Sequence, residues 1–253
     1  FCTVLKEAQA LGYAEVDPTF DVEGIDTAHK LSILTSLAFG SELDFSSVHI
    51  EGISRISPLD IEFADELGYR IKLLGISRQT EFGIEQRVHP CMIPIEAPIA
   101  HIEDVFNAVV VDGDFVGATM YEGRGAGQGP TASSVVADLV DIARERYSNT
   151  FAIPAIELEK SKKLPISELV GSYYVRFMVL DKPGVFATIA GALKDNNVSM
   201  EAVLQRGRSQ KEAVPVVLTT HLTNESSMLA TLDLIEKNEA VVEPPCVIRI
   251  ESF

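Results

Sequence analysis

Apolar residues recur at helical spacing over residues 24–39, GIDTAHKLSILTSLAF, where Ile25, Ala28, Leu31, Leu34 and Ala38 fall along one side and Gly40 follows as a stop. Beyond it the pattern changes period. VHIEGI (48–53) predicts a short strand, SPLDIEFADELG (57–68) a helix capped by Ser57 with Pro58 in its first turn, and YRIKLLGIS (69–77) a strand. FGIEQRVHPCMIPIEAP (82–98) continues extended, with prolines that belong at an edge or at strand ends. The Gly-rich segment EGRGAGQGPTASSVVADLVDIARER reads as a loop opening into a helix near Thr131 or Ser133, and the Pro- and Lys-bearing residues 152–172 read as a linker. After the linker the alternation is regular. It gives strand 173–181, helix 183–197, strands 198–207 and 213–222, helix 226–238 and strand 240–253, the βαββαβ order of a ferredoxin-like unit. Two helices on one face of that antiparallel sheet would leave its other face open for a second copy. The expected fold class is therefore α+β: a mixed sheet with helices on one face over residues 1–151, then the ferredoxin-like unit over 173–253. At the start, FCTVLKEAQALGYAE reads as an amphipathic helix already under way, with Val4, Leu5, Ala8 and Leu11 at helical spacing, as if a preceding part were missing.

Composition narrows the partners. The chain has 253 residues, 46% of them hydrophobic, enough for a real core. A formal charge of -16 repels phosphate backbones and anionic membrane surfaces, so neither nucleic acid nor membrane is an expected partner, whereas small zwitterions are. No apolar run reaches the roughly 18–20 residues that cross a bilayer. Cys2, Cys91 and Cys246 are widely spaced and odd in number, which fits a reducing, cytoplasmic setting and packing roles, with no metal site expected.

Three stretches could carry chemistry. GYAEVDPTFDVEGIDTAHK (12–30) collects Glu15, Asp17, Asp21, Glu23 and Asp26 before its first cation, Lys30. Asp26 and Lys30 are four apart, on one helical face. Glu15 and Asp21 precede them across the Pro18 turn and Gly24, where loop carboxylates can point back over a first turn. An acidic cup with one ammonium suits a substrate with its own amino group and a reacting oxygen, and Lys30 would act as an acid. The competing reading is a solvated acidic surface with an exposed ion pair. GRGAGQGPTAS (123–133) lets a backbone approach a ligand, but no strand and later acidic partner frame it as a dinucleotide fingerprint, and it lacks a P-loop lysine. In VLDKPGVFATIAGAL (179–193), Pro183 suits a first helical turn and Gly184 leaves room beside it, so a carboxylate could dock there; an ordinary strand-to-helix turn fits equally. His29, His49, His89, His101 and His221 form no triad and read as structural.

Taken in order, GYAEVDPTFDVEGIDTAHK, LGYRIKLLG (67–75), HPCMIPIEAPIA (89–100) and YEGRGAGQGPTASSVVADL (121–139) resemble the homoserine dehydrogenase family over residues 1–150, without its N-terminal nucleotide-binding portion. DKPGVFATIAGAL with VSMEAVLQ resembles an ACT regulatory module over the remainder. The resemblance implies reduction of aspartate 4-semialdehyde to homoserine with NADPH or NADH. By motif position it implies Lys30 as proton donor, with Asp26, Glu15 and Asp21 holding the substrate amino group and orienting the lysine. It further implies Gly125, Gly127 and Thr131 bordering the nicotinamide, and Asp181, Pro183, Gly184 and Val185 at a regulatory ligand, with threonine as effector of a homo-oligomer. The family's Rossmann fingerprint, a second lysine and a monovalent-cation site would belong to sequence not present here, so the chain alone should not turn over. The rival expectation is a non-catalytic amino-acid-sensing protein whose tail is the working part.

Overall fold

The computed structural model describes residues 4–6, 9, 17–207 and 212–252. Of the expected N-terminal helix, residues 4–6 and 9 are helical, while Ala8 and Leu11 lie outside the described residues. A one-turn helix α1 (Thr19–Val22) leads into α2 (Ile25–Phe39), then strand β1 (His49–Ile50) and helix α3 (Pro58–Glu66). Strands β2 (Tyr69–Thr80) and β3 (Gly83–Pro94) form a long antiparallel hairpin in full register from Tyr69↔Pro94 to Thr80↔Gly83. A separate two-stranded hairpin, β4 (Phe106–Gly113) and β5 (Gly117–Arg124), runs into helix α4 (Gln128–Ala143). The tail is β6 (Val170–Leu180), α5 (Val185–Asp195), β7 (Met200–Gln205), β8 (Ala213–Thr220), β9 (Thr223–Asn224), α6 (Glu225–Glu236) and β10 (Cys246–Ile250).

The two halves share one sheet. β10 pairs antiparallel with β6 and parallel with β3, through Arg249↔Cys91 and Ile250↔Met92, so the ferredoxin-like order β10-β6-β8-β7 is extended by β3 and β2. Side chains alternate across a strand, and the two faces carry different helices. Tyr173, Val175, Phe177 and Val179 of β6 pack with Val185 and Ile189 of α5 and Met228 and Ile235 of α6. Tyr174, Met92 and Ile248 face the other way and pack with Phe63 and Ala64 of α3. The expectation of an open second face on the tail sheet is thereby corrected, since α3 covers it. Helices α2 and α3 lie on one face of the common sheet and α5 and α6 on the other, while α4 buries none of its residues.

Helix α3 forms where its sequence says it should. Ser57 Oγ accepts from the Asp60 N–H at 3.3 Å while Asp60 Oδ2 accepts from the Ser57 N–H at 2.9 Å, a closed capping box with Pro58 at the first helical position. Helix α2 is rotated from expectation. Its buried face is Ala28, Leu31, Ser32, Thr35 and Ser36, and Leu34 is 40% exposed alongside Ile33 and Leu37. The small hydroxyl residues bond back to the helix backbone, Ser32 to the His29 carbonyl and Ser36 to the Ser32 carbonyl, and Thr35 to Ser77 of β2, so they can be buried without stranding a polar group. The last strand is shorter than 240–253: only Cys246–Ile250 is laddered, with a single bridge from Val241 to Val179. Among the described residues no helix is long and apolar enough to cross a membrane.

Candidate functional site

Residues 22–31 are held in place by close backbone approach. Gly24 has φ +76° and caps α2; a Cβ there would sit 3.0 Å from Val88 Cγ1 of β3. Gly52 abuts the same turn, where a Cβ would fall 2.6 Å from Glu23 Cα and 2.7 Å from the Val22 carbonyl oxygen, and the Ile53 N–H donates to that carbonyl at 2.9 Å. These two glycines let the turn rest on the sheet edge. One helical turn on, Lys30 Nζ donates to Asp26 Oδ2 at 2.6 Å, with two thirds of the lysine side chain exposed. Asp21 lies exposed in α1, and its backbone N–H donates to the Pro18 carbonyl. The structure thus brings Asp26 and Lys30 together. No hydrogen bond or ion pair joins Asp21 to Lys30 among the described residues, and Glu15 lies outside them. His29 is turned away from the pair, sandwiched between Phe45 at 4.1 Å and Phe20 at 5.7 Å.

The glycine segment differs from expectation in two ways. A strand does frame it, since β5 runs directly into it; that strand belongs to an antiparallel hairpin, so the parallel βαβ unit of a dinucleotide fingerprint is still not formed. Helix α4 begins at Gln128, three residues before Thr131, with Gly127 (φ +114°) as its cap. The Gly125 N–H donates to the Val105 carbonyl at 3.0 Å, and a Cβ there would collide with the Asn107 amide at 1.7 Å. Gly125, Gly127 and Thr131 are exposed along the turn into α4, and the Thr131 N–H donates to the Gly127 carbonyl at 3.2 Å. The neighbouring cation, Arg124, lies 5.0 Å over the Phe106 ring. In the tail turn, α5 starts at Val185 with Gly184 (φ +95°) as cap, so Pro183 precedes the helix instead of sitting in its first turn. Asp181 and Pro183 are exposed and Val185 is buried. A cleft of about 460 Å³ lies elsewhere, between the β2–β3 turn and residues 164–170, lined by Arg78, Phe82, Glu85 and Glu168 and not by the Asp26–Lys30 pair.

The largest polar feature had not been anticipated. Arg87, fully buried in β3, donates to both oxygens of Glu251 at 2.6 and 3.2 Å and pairs with Glu85. Arg249 of β10 donates to both oxygens of Glu51 at 3.0 and 2.9 Å and to both of Glu225 at 3.0 and 2.5 Å. The Tyr173 hydroxyl donates to Glu225 at 2.7 Å. His89, Cys91 and Glu251 come close enough to bracket an ion, but Arg87 already occupies that position, 2.7 Å from His89 Nε2. Burial, with the charges of Arg249 and Arg87, pushes His89 down to about 3, and burial pushes the Cys91 thiol far up. Arg87 thus neutralises Glu251 within this cluster, beside a neutral imidazole and a protonated thiol. The sequence did hold a signal for it: Glu85, Arg87, His89 and Cys91 fall at period two on one strand face, as do Arg249 and Glu251.

Glu51 and Asp60 make stability acid-sensitive. Burial alone would raise Glu51 and Asp60, yet hydrogen bonds and charge from His49 and Arg249 hold Glu51 below its ordinary value, and those from Arg176 and Ser57 do the same for Asp60. A depressed carboxyl contributes stability that is complete above its unfolded value, about 4, and that disappears as pH falls through the folded one. Denaturant midpoints are therefore expected to be flat from neutrality to about pH 5 and to fall below about pH 4. Glu51→Gln should flatten that fall, and a titration identical to wild type would remove Glu51 from it.

Together these features define a class: an α+β protein in which an Asp26–Lys30 ion pair on a helix over the sheet is joined through that common sheet to a ferredoxin-like unit. The homoserine dehydrogenase family model matches residues 1–140 and the ACT domain model residues 173–240, and the chain belongs to the homoserine dehydrogenase family. Homoserine dehydrogenase of Neisseria gonorrhoeae is 46% identical over 259 residues, covering 100% of this chain and 60% of that protein. That of Pseudomonas aeruginosa is 47% identical over 260 residues with the same coverage. The crystal structure of a homoserine dehydrogenase from Thiobacillus denitrificans superposes with a TM-score of 0.89 at 46% identity, over 99% of this chain and 58% of that one. The chain thus spans about 60% of the length of the relatives it matches.

Proposed function

We propose that this chain is the substrate-binding and regulatory portion of an enzyme that reduces L-aspartate 4-semialdehyde to L-homoserine, on the route to threonine and methionine. The observation that carries the reading is the Asp26–Lys30 pair, 2.6 Å apart at the start of α2, inside the segment that the family model matches. A bound NADPH or NADH supplies the hydride to the aldehyde carbon. The chain's own residues do the rest. Lys30 gives a proton from Nζ to the carbonyl oxygen as that oxygen becomes alkoxide-like, and Asp26 holds the ammonium in place. Glu15 and Asp21 grip the substrate amino group, and Gly125, Gly127 and Thr131 border the nicotinamide. Residues 1–151 form the substrate and dimerisation unit, 152–172 the linker and 173–253 the ACT unit, whose turn at Asp181, Pro183, Gly184 and Val185 takes threonine in a cytoplasmic homo-oligomer. Turnover requires the family's nucleotide-binding portion, so the chain by itself is inactive.

The test is the complete reading frame, expressed and assayed for homoserine-dependent reduction of NADP or NAD with and without millimolar threonine. Turnover with either cofactor, slowed by threonine that also gives binding heat in calorimetry, is the expected result. No turnover with either cofactor, together with amino-acid binding by the tail, would overturn the enzyme reading in favour of a non-catalytic sensor, a reading that the exposure of Lys30 favours.

A further inference from the structure

We infer that Arg249 is a positioning residue that ties the tail unit to the seat of the Asp26–Lys30 helix. Its guanidinium is buried and grips two carboxylates at once, each by both oxygens. Glu225 on one side is the first residue of α6, within the ACT match, and Glu51 on the other follows β1 within the homoserine dehydrogenase match. A planar fork held in this way transmits displacement, because neither carboxylate can shift by a bond length without breaking paired hydrogen bonds, in a buried site on the Glu225 side and a half-exposed one on the Glu51 side.

From Glu51 the path to the acid pair is short and made of backbone. The Glu51 N–H donates to the Val88 carbonyl at 2.8 Å, Gly52 lies against Val22 and Glu23, and Ile53 donates to the Val22 carbonyl. Val88 also lies under Gly24, the cap of α2. Residues 51–53 are thus the floor on which the first turn of α2 stands, and Arg249 fixes one end of that floor to α6. On the opposite sheet face a second link between the halves, Asp60 to Arg176, holds α3 and touches none of these residues. It provides an internal control.

The coupling concerns the protein's mechanics and stands whether or not Lys30 is the acid; only its kinetic consequence rests on the proposed function. The experiment is hydrogen–deuterium exchange by mass spectrometry on the whole chain, under native conditions, for Glu225→Gln, Glu51→Gln, Arg249→Met and Arg249→Lys. Glu225→Gln, made in the tail, is expected to speed exchange of residues 22–31 roughly 2- to 30-fold while residues 58–66 keep the wild-type rate. Glu51→Gln should give the same pattern without adding to it, and Arg249→Lys should recover part of what Arg249→Met loses. If Arg249→Met does not fold, the two glutamine variants decide. Unchanged exchange at 22–31, or an equal rise over 58–66, overturns the proposal by reducing the network to general stability. In the complete enzyme, Glu225→Gln should lower kcat and leave the cofactor KM alone. Absence of homoserine turnover alongside the predicted exchange pattern would sink the enzyme reading while the coupling stands.

Discussion

Lys30→Ala in the complete protein is expected to lower homoserine-dependent cofactor reduction by about 10²- to 10⁴-fold, the range over which a positioned proton donor acts. The prediction follows from the chemistry of the carbonyl. Hydride addition leaves an alkoxide-like oxygen, and a donor within hydrogen-bond reach neutralises it as it forms. Asp26 is 2.6 Å from Nζ and sets where that donor stands, so Asp26→Asn, which keeps the shape and removes the charge, should lower kcat by less than Lys30→Ala. Neither substitution should disturb the fold: the Lys30 side chain is 66% exposed, and an exposed i,i+4 pair contributes only about 0.3–0.5 kcal/mol. A Lys30→Ala protein that unfolds at the wild-type denaturant concentration yet keeps most of its turnover would show the pair to be surface decoration. Loss of activity with unchanged stability separates chemistry from folding, because the structural contribution at this position is so small.

Much of this could be read from the residues in order. Ser57, Pro58 and Asp60 spell a helix start that forms as written, and the tail's alternation gave six of its seven elements, all but the two-residue β9, with boundaries shifted by only a few residues except in the last strand. The rest was hidden for identifiable reasons. Hairpin β4–β5 buries neither face, with Val109, Val111, Met120 and Tyr121 all exposed, so there is no inside-to-outside alternation to detect. Helix α2 buries Ser32, Thr35 and Ser36 against a sheet that carries polar Ser77, while Ile33, Leu34 and Leu37 face outward. A rule that places the apolar stripe inward therefore finds Ala28 and Leu31 but rotates the rest of this helix away from its buried face. The ion-pair core joins residues as far apart as Glu51 and Arg249, and no local pattern fixes a partner across 198 positions. Its strand-face periodicity showed only that polar groups would share a surface. That they are buried follows from β10 lying beside β3, a long-range parallel pairing. The Asp26–Lys30 contact was legible because helical spacing is local, whereas Glu15 lies outside the described residues.

Asp60→Ala is expected to cost about 3–5 kcal/mol, the usual consequence of removing one partner from a buried ion pair. The carboxylate is wholly buried and receives five hydrogen bonds. Arg176 donates at 2.7 and 3.1 Å, the Tyr174 hydroxyl at 3.0 Å, and Ser57 through its hydroxyl at 2.6 Å and its backbone N–H at 2.9 Å. One substitution therefore leaves the Arg176 guanidinium under α3 with only the exposed Glu243 carboxylate, 4.0 Å away, leaves a tyrosine hydroxyl unpaired and opens the capping box. Against a total stability of about 5–15 kcal/mol that is a large fraction, equivalent to a fall in Tm of about 6–20 °C for a chain of this size. Asp60→Asn keeps the shape and part of the cap but not the charge, and should fall between alanine and wild type. The double variant Asp60→Ala with Arg176→Met should be more stable than Asp60→Ala alone, because an apolar side chain in place of the stranded guanidinium removes the uncompensated charge. If the double variant instead loses the sum of the two single losses, the penalty lies in packing under α3. A loss below about 1 kcal/mol for Asp60→Ala would mean that water reaches Arg176 once the carboxylate is gone, and that α3 is held to the tail sheet by its apolar packing and the Arg206–Glu66 pair.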